Sequence, residues 1–162
     1  SNGMSNYNNF SSSAGTKFNV RGNIMRLIDE NNYTGITSIS SDCFWYLFMG
    51  CTGLVSAETP ALPATTLAPY CYQNMFSGCA SLTKAPELPA QLLVNSCYEY
   101  MFYDCTSLNY IKCLENGRDG SRVTNDWVRG VAATGTFIKN PNKTWSTGNS
   151  GIPEGWTVID NS

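Results

Sequence analysis

Apolar and polar residues recur along the middle of the chain in three similar blocks of nine residues. Each block has cysteine at both ends, an aromatic residue second, leucine or methionine fifth, phenylalanine sixth and glycine or aspartate eighth. The blocks are Cys43–Cys51, Cys71–Cys79 and Cys97–Cys105. Their first cysteines are 28 and then 26 residues apart. This regular spacing indicates an internal repeat, which constrains the fold more strongly than any single motif.

Two kinds of local structure are predicted within each repeat. Inside the blocks, apolar residues at the first, second, fifth, sixth and ninth positions favour a short helical turn. A leucine follows each block by three residues and opens a short alternating segment, which predicts a strand. An aliphatic residue four positions before each block indicates a second strand or extended piece. These leucines are Leu54, Leu82 and Leu108, and these aliphatic residues are Ile39, Leu67 and Leu93.

A fourth copy of the repeat lacks the cysteines. Advancing by 26 residues from the third block places Val123 and Val131 at the two cysteine positions. The same step places Trp127 at the methionine position and Phe137 at the position of Ile111. Terminal repeats of a stacked array are expected to be atypical, because one of their faces has no neighbour.

Units of this length cannot bury their apolar residues alone, so we predict that they stack into one core. Residues 1–17 are expected to form a disordered arm or tag, and residues 18–35 an N-terminal cap. Asn23 is a candidate N-cap for a short helix in that segment. Residues 36–137 would form the repeats, the last one degenerate, and residues 138–162 a C-terminal cap with a final strand. The aromatic residue at the second block position is expected to pack between repeats, or else to supply an exposed contact.

The repeat resembles that of a known family. The pattern Leu-x-x-x-Cys-Tyr-x-x-Met-Phe-x-Gly-Cys-x-Ser-Leu-x-x-Ala-Pro-x-Leu-Pro, which begins at Leu67, is similar to the BspA-type bacterial leucine-rich repeat of gut Bacteroidetes surface proteins. The resemblance covers roughly residues 36–137. It implies an α/β solenoid: a leucine-rich-repeat right-handed superhelix with short parallel strands and short helical turns, in about four coils plus caps. It also implies a bacterial cell-surface or secreted protein, and some members are adhesins that bind host proteins.

Composition narrows the range of functions. The net charge of −2 and the pI near 5.0 give no basic face, so nucleic acid is not an expected partner. No apolar run approaches the length of a membrane span, and no signal peptide is visible. The chain has no histidine. This excludes Ser-His-Asp and Cys-His catalysis and every metal site that needs imidazole.

The seven cysteines allow three interpretations. A metal site is disfavoured because structural zinc sites use closer cysteine pairs. Disulfides between repeats are possible, although the odd count leaves one thiol unpaired. Burial as packed thiols is favoured, because Val123 and Val131 occupy the equivalent positions in the fourth repeat and valine can replace only a packed thiol. No cofactor or metal is therefore expected.

Function is expected to reside in a binding surface. Stacked repeats bind through equivalent positions on one extended face, and the residues around each predicted strand are the candidates. The candidate surface residues are Ser56, Glu58, Thr83, Lys84, Glu87, Asn109, Tyr110 and Lys112. No catalytic motif is recognisable, so we expect a non-enzymatic module for protein–protein binding or adhesion to a host or neighbouring-cell surface protein. The alternatives are a passive spacer within a larger surface protein and a module that binds a glycan through tyrosine and tryptophan.

Overall fold

The structure is a computed structural model that describes residue 10 and residues 15–57 and 62–162. The predicted disordered arm or tag over residues 1–17 lies mostly outside the described residues, since these omit 1–9 and 11–14. Glu58, one of the candidate surface residues, also lies outside them.

Short parallel strands connect equivalent parts of successive repeats. The described residues contain β1 Phe18–Val20, β2 Leu54–Ala57, β3 Leu92–Val94, β4 Tyr110–Cys113, β5 Gly117–Asp119, β6 Thr136–Lys139 and β7 Thr157–Asp160. They form sheets β1-β2, β3-β5 and β4-β6-β7, and every pairing is parallel. Strand β2 begins at the predicted Leu54, and β4 begins two residues after the predicted Leu108.

The predicted leucine-rich-repeat superhelix is wrong. The part of the chain that the structure describes has no α-helix, only 3₁₀ helices at Ile24–Leu27 and Tyr33–Gly35. Its strands are divided among sheets of two, two and three strands and do not close into the right-handed α/β solenoid that the resemblance implied. The helical turns predicted inside the cysteine blocks are consecutive β-turns instead.

The turn segments, residues 42–50, 70–78, 96–104 and 122–130, owe their form to a division of backbone hydrogen bonds. In the second segment Met75 N–H donates to the carbonyl of Tyr72 three residues earlier, at 3.2 Å. The next N–H, that of Phe76, donates to Met101 of the following repeat at 3.0 Å. Gly78 N–H then donates to Tyr103 of that repeat at 2.7 Å. Alternate N–H groups therefore close a turn or bind the next repeat, whereas in an α-helix every N–H group after the first four would bond within the helix itself.

A left-handed backbone residue recurs at every fourth position of these segments. The residues with positive φ in them are Asp42, Tyr46, Gly50, Tyr70, Asn74, Gly78, Ser96, Tyr100, Asp104, Arg122, Asp126 and Gly130. Left-handed backbone costs L-residues roughly 1–2 kcal/mol each, and least for Gly, Asn and Asp. Seven of these twelve positions carry one of those three residue types, which lowers the strain of the segments.

The core consists of side chains stacked from repeat to repeat. One column of parallel rings is Phe44, Tyr72, Tyr98 and Trp127, with centroids 5.8, 6.1 and 6.2 Å apart. A second is Phe10, Phe48, Phe76 and Phe102, at 5.3, 5.5 and 5.7 Å. The aromatic residue at the second block position thus packs between repeats. At the positions of the predicted fourth copy, Val123, Trp127 and Phe137 are buried whereas Val131 is only half-buried.

The N-terminal cap covers the first repeat only in part. Asn23 accepts a hydrogen bond from Met25 N–H at 2.8 Å, which confirms the predicted N-cap, although the helix is 3₁₀. Ile24 and Met25 are buried, but Leu27 is 51% exposed. An apolar side of this cap therefore remains open to solvent.

We predict that Phe76→Ala and Phe102→Ala each lower the free energy of unfolding by roughly 3–5 kcal/mol, the usual cost of truncating a buried phenylalanine. Both rings are completely buried within the second ring column. Urea denaturation followed by circular dichroism measures the effect. Leu92→Ala is the matched control, because Leu92 is 51% exposed and should lose about 0.5 kcal/mol or less. A loss below about 1 kcal/mol for both phenylalanines would contradict this core.

We also predict that Gly78→Ala destabilises the protein by about 1 kcal/mol, because Gly78 has φ +75° and an L-residue is strained there. An added Cβ would meet only ordinary contacts, the nearest at 3.6 Å, so the backbone is the cause. Gly35→Ala is the control: its φ is ordinary and its surroundings are open. Equal effects of the two substitutions in urea denaturation would refute the left-handed turn.

Candidate functional site

The predicted surface residues meet where successive strands are in register. Ser56 pairs with Lys84, and Lys84 pairs with Tyr110, both in parallel bridges. Tyr110 continues the pairing to Thr136 of β6. These four residues form a row across the strands, called here the strand row. Equivalent positions of different repeats thus lie side by side, as the repeat predicts.

A groove of about 340 Å³ lies over the strand row. The residues that line it are Ser56, Ala57, Lys84, Ala85, Glu87, Tyr110 and Lys112. The side chains of Ala57 and Ala85 are buried, whereas Lys84 is exposed and Glu87, Tyr110 and Lys112 are partly exposed. The walls of the groove are therefore the longer side chains that successive repeats contribute.

The polar groups of the groove are held by one another. Lys84 Nζ lies 4.8 Å from the ring centroid of Tyr110, over its face. Lys112 Nζ lies 3.1 Å from Glu87 Oε1, and both side chains are partly exposed, so this pair contributes at most about 1 kcal/mol to stability. Ser56 Oγ donates to Asn19 Oδ1 at 2.9 Å. These contacts orient the side chains without burying them.

Two other predicted surface residues flank the groove. Thr83 and Asn109 are exposed, and Asn109 N–H donates to the carbonyl of Thr83 at 3.0 Å. The carbonyl of Asn109 in turn accepts a bond from Thr136 N–H at 2.9 Å. Neither lines the groove. Of the eight candidates, five line it, two flank it and Glu58 is outside the described residues.

Two buried carboxylates were not singled out from the sequence. Glu115 is completely buried, 2.9 Å from Arg118 Nε and 2.8 Å from Lys143 Nζ. Glu99 is 2% exposed and accepts hydrogen bonds from Gln73 at 2.9 Å and Arg122 at 2.7 Å. Removing the partners of either carboxylate would leave an uncompensated buried charge, which is strongly destabilising. Glu99 thus connects the repeats on either side of it, and Glu115 connects the third repeat to the C-terminal segment.

The sequence contains a signal for Glu115. Ile111, Cys113 and Glu115 alternate through and beyond β4, and all three are buried. Alternate residues of a strand face the same side, so continuing this alternation past the end of β4 places the Glu115 carboxylate in the core. The basic residues three positions later and in the C-terminal segment, Arg118 and Lys143, then complete the cluster.

The cysteines form interior columns as packed thiols. All seven are unpaired, and all but the half-buried Cys43 are buried. Cys79 Sγ donates to the carbonyl of Phe48 at 3.1 Å, and Cys105 Sγ to that of Phe76 at 3.0 Å. The packed-thiol interpretation is thus confirmed for six of the seven. Burial raises the pKa of Cys79 to about 12, so the thiolate needed for nucleophilic attack is not formed at neutral pH.

Comparison with known proteins gave no family model, no curated protein and no solved structure that matches this chain. Within the described ranges, no three metal-ligating side chains converge. None of the described helices is both long and apolar enough to cross a membrane.

Alkaline pH is predicted to destabilise the protein through its buried thiols. Burial raises the pKa of Cys79 from its ordinary value of 9.0 to about 12, so above pH 9 this thiol ionises in the unfolded chain but not in the folded one. Its contribution to stability is therefore complete below pH 9 and is lost as the pH rises toward 12. The slope is about 1.4 kcal/mol per pH unit for each such thiol.

Urea denaturation at several pH values between 8 and about 11 would measure this slope. Cys79→Val is the matched variant, because valine occupies the equivalent position, 131, in the fourth repeat. Other buried thiols and tyrosines titrate in both proteins, so the difference in slope isolates Cys79. Identical slopes would show that this thiol does not stay neutral in the folded protein.

Proposed function

We propose that this protein is a non-enzymatic module that binds another protein through the groove over the strand row. The observation that carries the proposal is the convergence of side chains from three successive repeats on one open groove. Extended surfaces built by equivalent positions are how stacked repeats bind their partners. The sequence resemblance to bacterial surface proteins favours a place at the cell surface and a host or neighbouring-cell surface protein as the partner.

The chemistry of the groove suits a protein surface. Tyr110 offers a rigid amphipathic ring, a residue type enriched in binding sites. Exposed Lys84 and the half-exposed pair of Glu87 and Lys112 offer charges of both signs around the partly exposed ring of Tyr110. An apolar centre with a polar rim is the usual plan of protein interfaces. Lys84 lies over one face of the Tyr110 ring and so competes with a sugar for that face, and we do not propose a glycan-binding role.

A search against an array of purified extracellular and cell-surface proteins tests the proposal, followed by titration of any protein bound. Tyr110→Ala and Lys84→Glu should each weaken binding at least tenfold, as central interface residues cost over about 1.4 kcal/mol when lost. Tyr70→Ala is the matched control, since Tyr70 is 38% exposed but belongs to a turn segment. Thermal unfolding confirms that each variant is folded.

Two outcomes contradict the proposal. Absence of any partner bound more tightly than about 100 µM would favour the passive spacer. Binding that Tyr70→Ala weakens more than Tyr110→Ala would place the interface on the turn segments.

A further inference from the structure

The face of the sheet that carries the groove continues beyond it into an aliphatic patch. Lys112, which lines the groove, pairs with Ile138 of β6, and Ile138 pairs with Ile159 of β7. Residues two apart on a strand face the same side, so this second row lies beside the strand row on one face. Ile138 is partly exposed and Ile159 is 46% exposed. These two residues are called here the isoleucine patch.

The charges of the groove have the opposite sign to that of the whole chain. Its described lining holds two lysines and one glutamate, whereas the chain carries a net charge of −2. Glu87 lies 3.1 Å from Lys112 and neutralises its charge. Lys84 is exposed and lies over the ring of Tyr110, and among the described residues no carboxylate forms an ion pair with it. The groove therefore presents one excess positive charge, at Lys84.

The distance from Lys84 to the isoleucine patch sets the length of a segment that reaches both. Lys84 pairs with Tyr110, and Tyr110 pairs with Thr136 of β6. Ile138 is therefore two strands away from Lys84 and two residues further along. With strands about 4.8 Å apart and residues about 3.3 Å apart along a strand, the two positions are roughly 12 Å apart.

An extended chain matches this distance at one spacing. It covers roughly 12 Å in about four residues, and residues four apart on an extended chain face the same side. Residues three apart face opposite sides, so only one of the two could reach this face. Residues four apart in an α-helix are only about 6 Å apart, which is too short.

We propose that the groove and the isoleucine patch together bind an extended segment of the partner protein, which carries an acidic residue and an aliphatic residue four positions apart. This inference rests on the proposed function and names the chemistry of the partner. The acidic side chain would pair with Lys84, and the aliphatic side chain would cover Ile138 and Ile159. Opposite charge gives the contact its specificity, and the apolar contact supplies the dry centre that protein interfaces have.

Titration of the isotope-labelled full chain with short synthetic peptides, followed by NMR, tests the proposal. The reference peptides carry aspartate and leucine four positions apart, in both orders, in a background of serine and threonine. The better of the two should bind with a Kd of about 1 mM or tighter, with shifts concentrated in β4 and β6. Replacing its aspartate by asparagine, its leucine by serine, or the spacing of four by three should each weaken binding about threefold or more.

Two substitutions in the groove should act in opposite directions. Lys84→Gln removes the pairing charge and should weaken binding of the aspartate peptide about threefold. Glu87→Gln removes a repelling charge and frees Lys112, so it should strengthen that binding. Neither should change the affinity for the asparagine peptide.

The isoleucine patch is tested by a matched pair of variants. Ile159→Thr should weaken binding of the aspartate and asparagine peptides alike. Leu92→Thr, at a similarly exposed leucine of β3, should leave both unchanged. Thermal unfolding confirms that each variant is folded.

Four results would overturn this inference: no binding by any peptide, equal binding of the aspartate and asparagine peptides, equal binding at spacings of three and four, or effects of Lys84→Gln and Glu87→Gln in the same direction. The proposed function would survive each of them, provided that the protein array yields a partner whose binding Tyr110→Ala weakens. If Tyr110→Ala leaves the binding of every such partner unchanged, the proposed function is itself wrong.

Discussion

The first three turn segments can exist only beside one another, because half of their backbone N–H groups have their acceptors in the next repeat. Phe76 N–H needs the carbonyl of Met101, and Phe102 N–H needs that of Trp127. A buried N–H without an acceptor costs free energy comparable to a lost hydrogen bond. A single repeat would therefore leave several such groups unsatisfied, and the repeats must form together or not at all.

The ring columns follow from the same constraint. Backbone bonds between equivalent residues fix the separation of successive repeats, and ring centroids in the second column lie 5.3 to 5.7 Å apart, within the range of offset stacking. In the fourth repeat, Trp127 stands where the second and third repeats have methionine, and its ring contacts both Tyr98 and Phe102. Trp145 then stacks on Trp127 at 5.5 Å. Large rings thus cover this end of the turn segments, whereas Val158 of β7 is 45% exposed.

The repeat, its register and most of its core were predictable from residue spacing, because equal offsets place equal side chains in one column. The consecutive β-turns inside the blocks were not predictable from spacing. Apolar residues at offsets of zero, one, four, five and eight fit a period of 3.6 and a period of four equally well. The Asn, Asp and Gly residues distinguish the two periods. Asp42, Gly50, Asn74, Gly78 and Asp104 all fall on the four-residue left-handed positions, where such residues tolerate positive φ, and none of these residue types is favoured inside a helix.

The groove was predictable only as a set of positions, because its shape depends on which residues differ between repeats. Ser56, Lys84 and Tyr110 are equivalent by offset, yet they present a hydroxyl, an ammonium and a ring. Positions that hold the stack together admit little variation, as Phe48, Phe76 and Phe102 illustrate. The residues of the strand row pair with one another through backbone hydrogen bonds. Their side chains can therefore differ between repeats without disturbing the stack. Variation is therefore concentrated where it does not disturb the fold, and the proposal that the strand row binds a partner rests on positions of this kind.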